Sequence, residues 1–218
     1  FNINLIFYGE NQAEYGNDIK DNFKKNFDNS YYTYSNLSEI IIAGKKIDEI
    51  LKNTKFKIGD FKPYLPLNKK EVANLNIDYQ YLGYYLKWDP QECYYYASEH
   101  TGFQANTERT QGSYSKYSGI DDRIDWFHYY TTLIKFGLGR ASYDAAQEIR
   151  NKKITKEEGI NLVKKYDDEF PINYFKDFLE YIDISENIFW ETIDKFRPSH
   201  LWENKNGKWT LKNKIWET

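Results

Sequence analysis

Residues 102–150 read GFQANTERTQGSYSKYSGIDDRIDWFHYYTTLIKFGLGRASYDAAQEIR, and they contain Arg, Lys, Asp, His and Gly at a higher density than a plain hydrophobic core needs. At the centre of this stretch, apolar residues recur at steps of three and four, which predicts a largely buried helix over residues 120–136. A polar row with the same spacing falls on one face of that helix: Asp121, Asp125, His128, Thr132 and Lys135.

Two cationic loops flank the predicted helix. The loop before it, residues 108–119, is rich in hydroxyl groups and glycine and carries Arg109 and Lys116. After the helix, residues 137–140 (GLGR) place an arginine beside two glycines, and a guanidinium suits bidentate contacts with carboxylate or phosphate. We therefore predict a pocket for a polar, anionic ligand; the alternative is a solvated helix face with internal salt bridges. The cations of the predicted pocket are Arg109, Lys116, Lys135 and Arg140.

Composition narrows the class of protein. The chain has 218 residues and a net charge of −3, and it contains no basic block, so nucleic acid is not an expected partner. The single cysteine, Cys93, excludes an intrachain disulfide and fits a reducing cytosol; we interpret it as a buried structural thiol. No apolar run is long enough to span a membrane, so we expect a cytoplasmic protein without a membrane partner.

Metal and triad chemistry are not favoured. The three histidines lack the spacing of a zinc site, so no metal ligands are predicted. A Gly-x-Ser-x-Gly elbow is missing as well, which disfavours a Ser-His-Asp triad. The sequence contains no Met and opens inside an apolar run, so we expect a fragment of a longer protein.

The order of patterns along the chain predicts an α/β edge followed by a mainly α-helical region with a terminal hairpin. The opening run, residues 3–8, is typical of a buried strand that delivers Gly9, Glu10 and Asn11 to the ligand-binding edge of a sheet. Residues 37–51 have the pattern of an amphipathic helix, and residues 79–88 have the aromatic richness of a strand. Further helices are predicted to begin at or near Asp89, Ser142, Thr155, Pro171 and Ser185.

The last segment carries the strongest hairpin signal in the chain. Asn206-Gly207 lies between Trp202 and Trp209, as expected for a tight turn between two strands. We divide the chain into residues 1–36, the end of an α/β domain, and residues 37–218, a mainly helical domain for substrate or partner.

Several motifs extend over nearly the whole chain: residues 81–92 (YLGYYLKWDPQE), 102–106 (GFQAN), 108–110 (ERT), 114–117 (YSKY), 120–122 (IDD), 127–132 (FHYYTT) and 148–150 (EIR). In these motifs the chain resembles the N-acetyl sugar amidotransferase family, which acts in the biosynthesis of lipopolysaccharide O-antigen and flagellin glycans. Residues 9–16 also resemble the segment that follows a late strand in that family's Rossmann-like ATP-pyrophosphatase domain, an adenine nucleotide alpha-hydrolase fold.

The resemblance implies an ATP-dependent conversion of a sugar acetamido group to an acetamidino group, with ATP and Mg²⁺ required by the full-length parent. Glu10, Asn11 and Glu14 then fall where the edge of the sheet would meet nucleotide or Mg²⁺. A proton acceptor for ammonia is required, and Asp121 and His128 are the candidates. The family's Ser-Gly-Gly-Lys-Asp-Ser phosphate loop is missing from this sequence, so we expect this fragment to be inactive alone and to bind ATP weakly or not at all.

The expected partners also follow from the resemblance. They are an N-acetylated sugar or sugar nucleotide, a glutaminase, and a cyclase-like subunit, the last two similar to histidine-biosynthesis subunits. Two alternatives stay open. The chain could be a non-catalytic binding or dimerisation module that docks a glutaminase, or a sulfur-transferring relative, which is disfavoured because Cys93 has no partner cysteine.

Overall fold

The computed structural model describes residues 3–9, 23–28, 30 and 32–217. The chain forms two compact units, Phe1–Trp88 and Asp89–Thr218. The boundary between the units lies later in the chain than the domain boundary predicted after residue 36. Because compactness and domain ancestry are different criteria, that earlier boundary stays a prediction.

In its described residues, the first unit consists of short strands, two short α-helices and 3₁₀ turns. In chain order these are β1 (Leu5–Tyr8), β2 (Thr33–Tyr34), β3 (Ile41–Ile42), β4 (Lys45–Lys46), α1 (Ile47–Asn53), β5 (Leu67–Asn68), α2 (Lys69–Asn74) and β6 (Asp78–Tyr81). Strand β1 pairs in parallel with β6, and β2 pairs in parallel with β5, whereas β3 and β4 form an antiparallel hairpin. Parallel pairing is the arrangement that an α/β edge requires, but two-stranded pairs do not by themselves establish a Rossmann-like origin.

Two predictions for this unit need correction. The helix predicted over residues 37–51 is wrong in its first part, because Asn36 caps only a short 3₁₀ turn and the chain then reverses through Ala43 and Gly44, both at positive φ. The opening strand does form, but it is not buried on both faces, since Leu5 and Phe7 are each 46% exposed.

The second unit is mainly helical and ends in a hairpin, as predicted. Its elements are α3 (Pro90–His100), α4 (Asp125–Phe136), α5 (Arg140–Arg150), α6 (Lys156–Tyr166), α7 (Phe175–Ile182), α8 (Glu186–Lys195), β7 (Trp202–Lys205) and β8 (Lys208–Leu211). The predicted caps are confirmed: the side chains of Asp89, Thr155 and Ser185 each accept a hydrogen bond from a backbone amide in the first turn of the following helix.

Helix α4 begins at Asp125, so the prediction that it starts at residue 120 is wrong. The backbone before it is held in other ways: the Asp122 carboxylate accepts from the amide of Ile124 at 2.8 Å, and the Trp126 indole donates to the carbonyl of Gly119 at 3.0 Å. Gly137, at a φ of 74°, ends the helix in the left-handed conformation that glycine adopts without strain.

The main core of the second unit is aromatic. Phe127, Leu133 and Ile134 of α4 are each at most 2% exposed, and they pack against residues of the later helices and the hairpin: Phe175, Phe189, Ile193 and Trp202. The Phe127 ring stacks on Phe178 with centroids 4.1 Å apart. Burial of these rings holds α4, α7, α8 and the hairpin together.

Helices α5 and α6 meet through small residues. A Cβ on Gly159 of α6 would lie 2.7 Å from Cδ1 of Ile149 and 3.5 Å from Cβ of Ala145, both on α5. The side chains of Ile149 and Ala145 therefore pack directly against the backbone of α6 at this point, and a larger residue at position 159 requires the Ile149 side chain to shift.

In the part of the chain that the structure describes, none of the helices combines the length and apolar character needed to cross a bilayer.

We predict that Phe127→Ala lowers the free energy of unfolding by about 3–5 kcal/mol, because it leaves a cavity beneath several rings. Phe136→Ala is the matched control, since this ring lies on the same helix but is 59% exposed; it should change stability by less than about 0.5 kcal/mol. Urea denaturation of both variants measures the difference, and equal losses would show that α4 does not supply the core.

Candidate functional site

Arg109 is fully engaged inside the second unit. Its Nη1 donates to Oε2 of Glu169 at 2.5 Å and its Nη2 donates to Oε1 at 2.7 Å, a bidentate pair that links the loop of residues 103–119 to the segment after α6. The guanidinium also lies 4.5 Å from the ring centroid of Tyr166. Burial alone would raise the pKa of Glu169, but hydrogen bonds from Arg109 and the Gly112 amide outweigh it and lower that pKa. The cation thus fixes this loop in place.

Arg140 is engaged as well. Its Nε lies 2.8 Å from Oδ1 of Asp144, one turn along α5, although its N–H is not aligned for a hydrogen bond. The guanidinium also lies near two tyrosine rings, 4.7 Å from the centroid of Tyr129 and 5.2 Å from that of Tyr143. Its surroundings match the internal salt bridge that the sequence left open as the alternative.

The two lysines differ from the arginines in being exposed. Lys116 donates from Nζ to the carbonyl of Thr107 at 3.0 Å, and the ammonium of Lys135 lies 5.3 Å from the ring centroid of Phe136. Neither forms an ion pair with a carboxylate of the described residues. Both cations are therefore accessible to a ligand from solvent.

The predicted proton acceptors are also exposed. Asp121 precedes α4 instead of lying on it, so the polar row on this helix starts at Asp125, while His128 lies in the second turn. No hydrogen bond or ion pair joins Asp121, His128 or Lys135 to Arg109 or Arg140. The remaining predicted residues, Glu10, Asn11 and Glu14, lie outside the described residues.

The full row of charges on α5 was not predicted from the sequence, although Asp144 and Glu148 are the ion-pair partners that the sequence offers for Arg140 as the alternative to a ligand contact. Asp144 and Glu148 follow Arg140 at steps of four residues along α5. They face the loop that carries Ser113 and Tyr114. We call these five residues the α5 cluster. The hydroxyl of Ser113 donates a short hydrogen bond to Asp144. Spacing of four within a helix was the signal that could have identified this row.

Burial dominates the electrostatics of the α5 cluster. It raises the pKa of Asp144 even though Arg140 and Ser113 favour the charged form. Burial also raises the pKa of Glu148, and repulsion by Asp144 adds to the effect. The Tyr114 hydroxyl is buried without an aligned hydrogen-bond partner among the described residues, and its pKa is raised by burial and then by the nearby carboxylates.

The first turn of α5 is occupied by a carboxylate of the chain itself. Asp167 accepts from the amides of Gly139 and Ser142 at 2.9 and 2.7 Å, and from the Ser142 hydroxyl at 2.8 Å. A Cβ at position 139 would lie 2.6 Å from the Asp167 carbonyl oxygen, which explains the second glycine before Arg140. This helix terminus is therefore filled and is not an open anion site.

Comparison with known proteins gives one family. Residues 111–215 match the family model described as LPS biosynthesis protein WbpG-like, C-terminal domain. The C-terminal portion of this chain belongs to the WbpG-like family. No curated protein matches the chain. The matched residues contain the whole α5 cluster, helices α4 to α8 and the hairpin, so these features belong to a lipopolysaccharide biosynthesis domain.

Two further expectations concern metal and thiol chemistry. Among the described residues, no three His, Cys, Asp or Glu side chains are grouped so that they could share a metal ion. Cys93 precedes the WbpG-like portion on α3 and is exposed. The interpretation of this residue as a buried structural thiol is wrong, because α3 has no buried residue.

We predict a loss of stability in alkali, to which two tyrosines of the WbpG-like portion contribute. Burial, followed by the charges of Glu148 and Asp144, raises the pKa of Tyr117 to about 12. Burial also raises the pKa of Tyr129 to about 12, against the opposing charge of Arg140. Because the folded pKa lies above the unfolded value of about 10, the stabilisation is complete below pH 10 and is lost as the pH rises toward 12.

The measurement is the urea midpoint at about pH 8 and about pH 11 for the native chain and the double variant Tyr117→Phe, Tyr129→Phe. The double variant should lose less stability between the two pH values. Tyr143→Phe, at a 56% exposed position, is the control and should behave like the native chain. An unchanged alkaline loss in the double variant would assign it to other groups.

Proposed function

We propose that the chain is the C-terminal part of an ATP-dependent N-acetyl sugar amidotransferase. In the reaction that the resemblance implies, the acetamido oxygen of a sugar is adenylylated by ATP with release of pyrophosphate. Ammonia then attacks the activated carbon, and AMP departs with the oxygen, which leaves an acetamidino group. The observation that carries the proposal is the WbpG-like family match over residues 111–215. The motifs that resemble the amidotransferase family also extend upstream of the match, through residues 81–110.

The first unit supports the same proposal. Strand β1 and its parallel partner β6 are consistent with the edge of an α/β nucleotide-binding domain, and the segment with Glu10, Asn11 and Glu14 follows directly after β1. In the proposal, that segment contributes to the site for ATP and Mg²⁺ in the full-length parent. No step is assigned to described residues through either group.

The predicted site residues of the second unit have two kinds of role, and exposure to solvent separates them. His128 and Asp121 are accessible to a substrate and are assigned as candidate proton acceptors for ammonia. Lys116 and Lys135 are the cations that could meet an anionic sugar or sugar nucleotide. Arg109 and Arg140 are bound to Glu169 and Asp144, so the proposal gives them the task of positioning the loop and α5.

A binding module is the second candidate function, and exposed apolar side chains favour it. Ile172, Tyr181, Ile188 and Phe196 lie on or beside α7 and α8 and are between 52% and 74% exposed. Apolar side chains of this size can form part of an interface with a glutaminase or a cyclase-like subunit. In this alternative the WbpG-like portion binds the subunit that supplies ammonia and catalyses no reaction step itself.

The test is nitrogen transfer by the parent protein, with isotopically labelled ammonium, ATP and a panel of nucleotide-linked N-acetylated sugars. We expect labelled nitrogen in the sugar together with an equal amount of AMP, both measured by mass spectrometry. His128→Gln should lower kcat by about 100-fold with an unchanged melting temperature, because the side chain is exposed. His200→Gln, at another exposed histidine, should leave turnover unchanged.

Two results would reject the amidotransferase proposal. One is turnover of ATP to ADP without labelled sugar. The other is tight binding of a glutaminase by a parent protein that transfers no nitrogen to any sugar of the panel, which would support the docking module.

Arg140→Lys separates a substrate contact from a structural ion pair. Because Arg140 lies between Asp144 and two tyrosine rings, we expect the variant to lose about 1–2 kcal/mol of stability and to keep its kcat/KM. Melting temperature and steady-state kinetics of the parent protein measure the two effects. A variant with native stability and a large loss of kcat/KM would restore Arg140 as a substrate-binding residue.

A further inference from the structure

A cavity of about 260 Å³ lies between α4, the end of α8 and the C-terminal hairpin. Its walls combine aromatic rings, three cations and one carboxylate. The aromatic residues are Tyr130, Trp202, Trp209 and Trp216; the charged residues are Arg197, Lys208, Lys214 and Asp168. None of these residues belongs to the α5 cluster or to the cations predicted from the sequence.

Arg197 is the most unusual residue in this cavity. Its side chain is only 7% exposed, and its guanidinium lies 4.5 Å from the ring centroid of Trp202 and 5.5 Å from that of Trp209. Its Nε donates to Oδ1 of Asp194 at 3.3 Å, and the Asp194 side chain is 49% exposed and therefore well hydrated. A buried guanidinium with such a weak counter-charge favours an anion beside it.

The other charges of the cavity increase this preference. Lys208 pairs with no carboxylate in the described part of the chain, and Lys214 lies 3.0 Å from Glu217 with its own side chain 28% exposed. Asp168 also lines the cavity, but it forms no ion pair with Arg197. The lining side chains comprise three cations and one carboxylate; Asp194 and Glu217 pair with two of those cations, and Lys208 is the cation of the lining without a carboxylate partner among the described residues. The Asp168 carboxylate can accept hydrogen bonds from hydroxyl groups.

Size and wall chemistry indicate the kind of ligand. A cavity of about 150 Å³ accommodates one benzene ring, and drug-sized ligands occupy about 300–1,000 Å³. The observed volume suits one substituted six-membered ring. A sugar ring has C–H faces that pack on aromatic rings and a rim of hydroxyls that bond to charged side chains, which matches walls of indole, ammonium and carboxylate.

We propose that this cavity is a binding site for a single hexose unit that carries a carboxylate or phosphate group. The ring packs against the accessible indole of Trp209, and the anionic group lies among Arg197, Lys208 and Lys214. The Trp202 indole is held in place because its N–H donates to the carbonyl of Ile134 at 2.7 Å, so the wall behind Arg197 is rigid. The site needs neither ATP nor ammonia, so it can be tested apart from the amidotransferase reaction.

The experiment is calorimetric titration of the 218-residue chain with glucuronate, glucose 6-phosphate, glucose and AMP. We expect the two anionic hexoses to bind at least about tenfold more tightly than glucose, with affinity falling as salt is raised. The preferred one of the two identifies the anionic group as carboxylate or phosphate. Tighter binding of AMP than of both anionic hexoses would assign the cavity to a nucleotide and overturn the proposal. Equal binding of glucose and glucuronate, or no binding of any hexose, would also overturn it.

Substitutions locate the site. Lys208→Gln should weaken the anionic hexose by about two- to fivefold, and Arg197→Gln by roughly tenfold or more. Lys205→Gln is the matched control, because Lys205 lies opposite Lys208 in the same hairpin but does not line the cavity. If Arg197→Gln fails to fold, the comparison of Lys208→Gln with Lys205→Gln shows whether the hexose binds in the cavity. Equal weakening by these two variants, or none by Lys208→Gln, would place the ligand elsewhere.

The outcomes remain distinct from those of the proposed function. Selective hexose binding without nitrogen transfer by the parent protein supports the cavity and rejects the amidotransferase. Nitrogen transfer without hexose binding at the cavity supports the enzyme and rejects the cavity.

Discussion

The carboxylate of Asp167 connects two helices of the second unit. It lies at the end of α6 and binds the amides of Gly139 and Ser142 at the start of α5, so it joins the ends of two helices that would otherwise depend on apolar contacts alone. Burial raises the pKa of Asp167, and these amides oppose the shift by favouring the charged form. The orientation of α5, and with it the row from Arg140 to Glu148, depends on this cap.

Local chemistry was predictable from the sequence, whereas long-range pairing was not. The caps at Asp89, Thr155 and Ser185 and the turn at Asn206-Gly207 involve groups a few residues apart, and the structure contains all of them. The Arg109–Glu169 pair joins residues 60 positions apart, so no local pattern could reveal it. For the same reason the helix start at residue 120 was wrong: apolar periodicity continues there, but the contacts of Asp122 and Trp126 hold a different backbone.

The candidate site shows the same division. Cationic side chains near glycines were predicted as site residues, but the sequence could not tell which of them the protein uses internally. The arginines at 109 and 140 are bound to carboxylates, and the lysines at 116 and 135 face solvent. The hairpin with Trp202 and Trp209 was predicted, but its position against α4, and hence the cavity around Arg197, follows only from the packing of distant segments.

The close contact at Gly159 has a consequence for motion. Because the side chains of Ala145 and Ile149 pack directly against the backbone of α6 at Gly159, the two helices are in close contact there and should move together. Any movement that opens the buried face of α5 must then occur in the facing loop. That loop contains Gly102, Gly112 and Gly119, all at positive φ, where a backbone can change direction. Because the Arg109–Glu169 pair holds this loop in place, access to the buried acidic groups requires that pair to open.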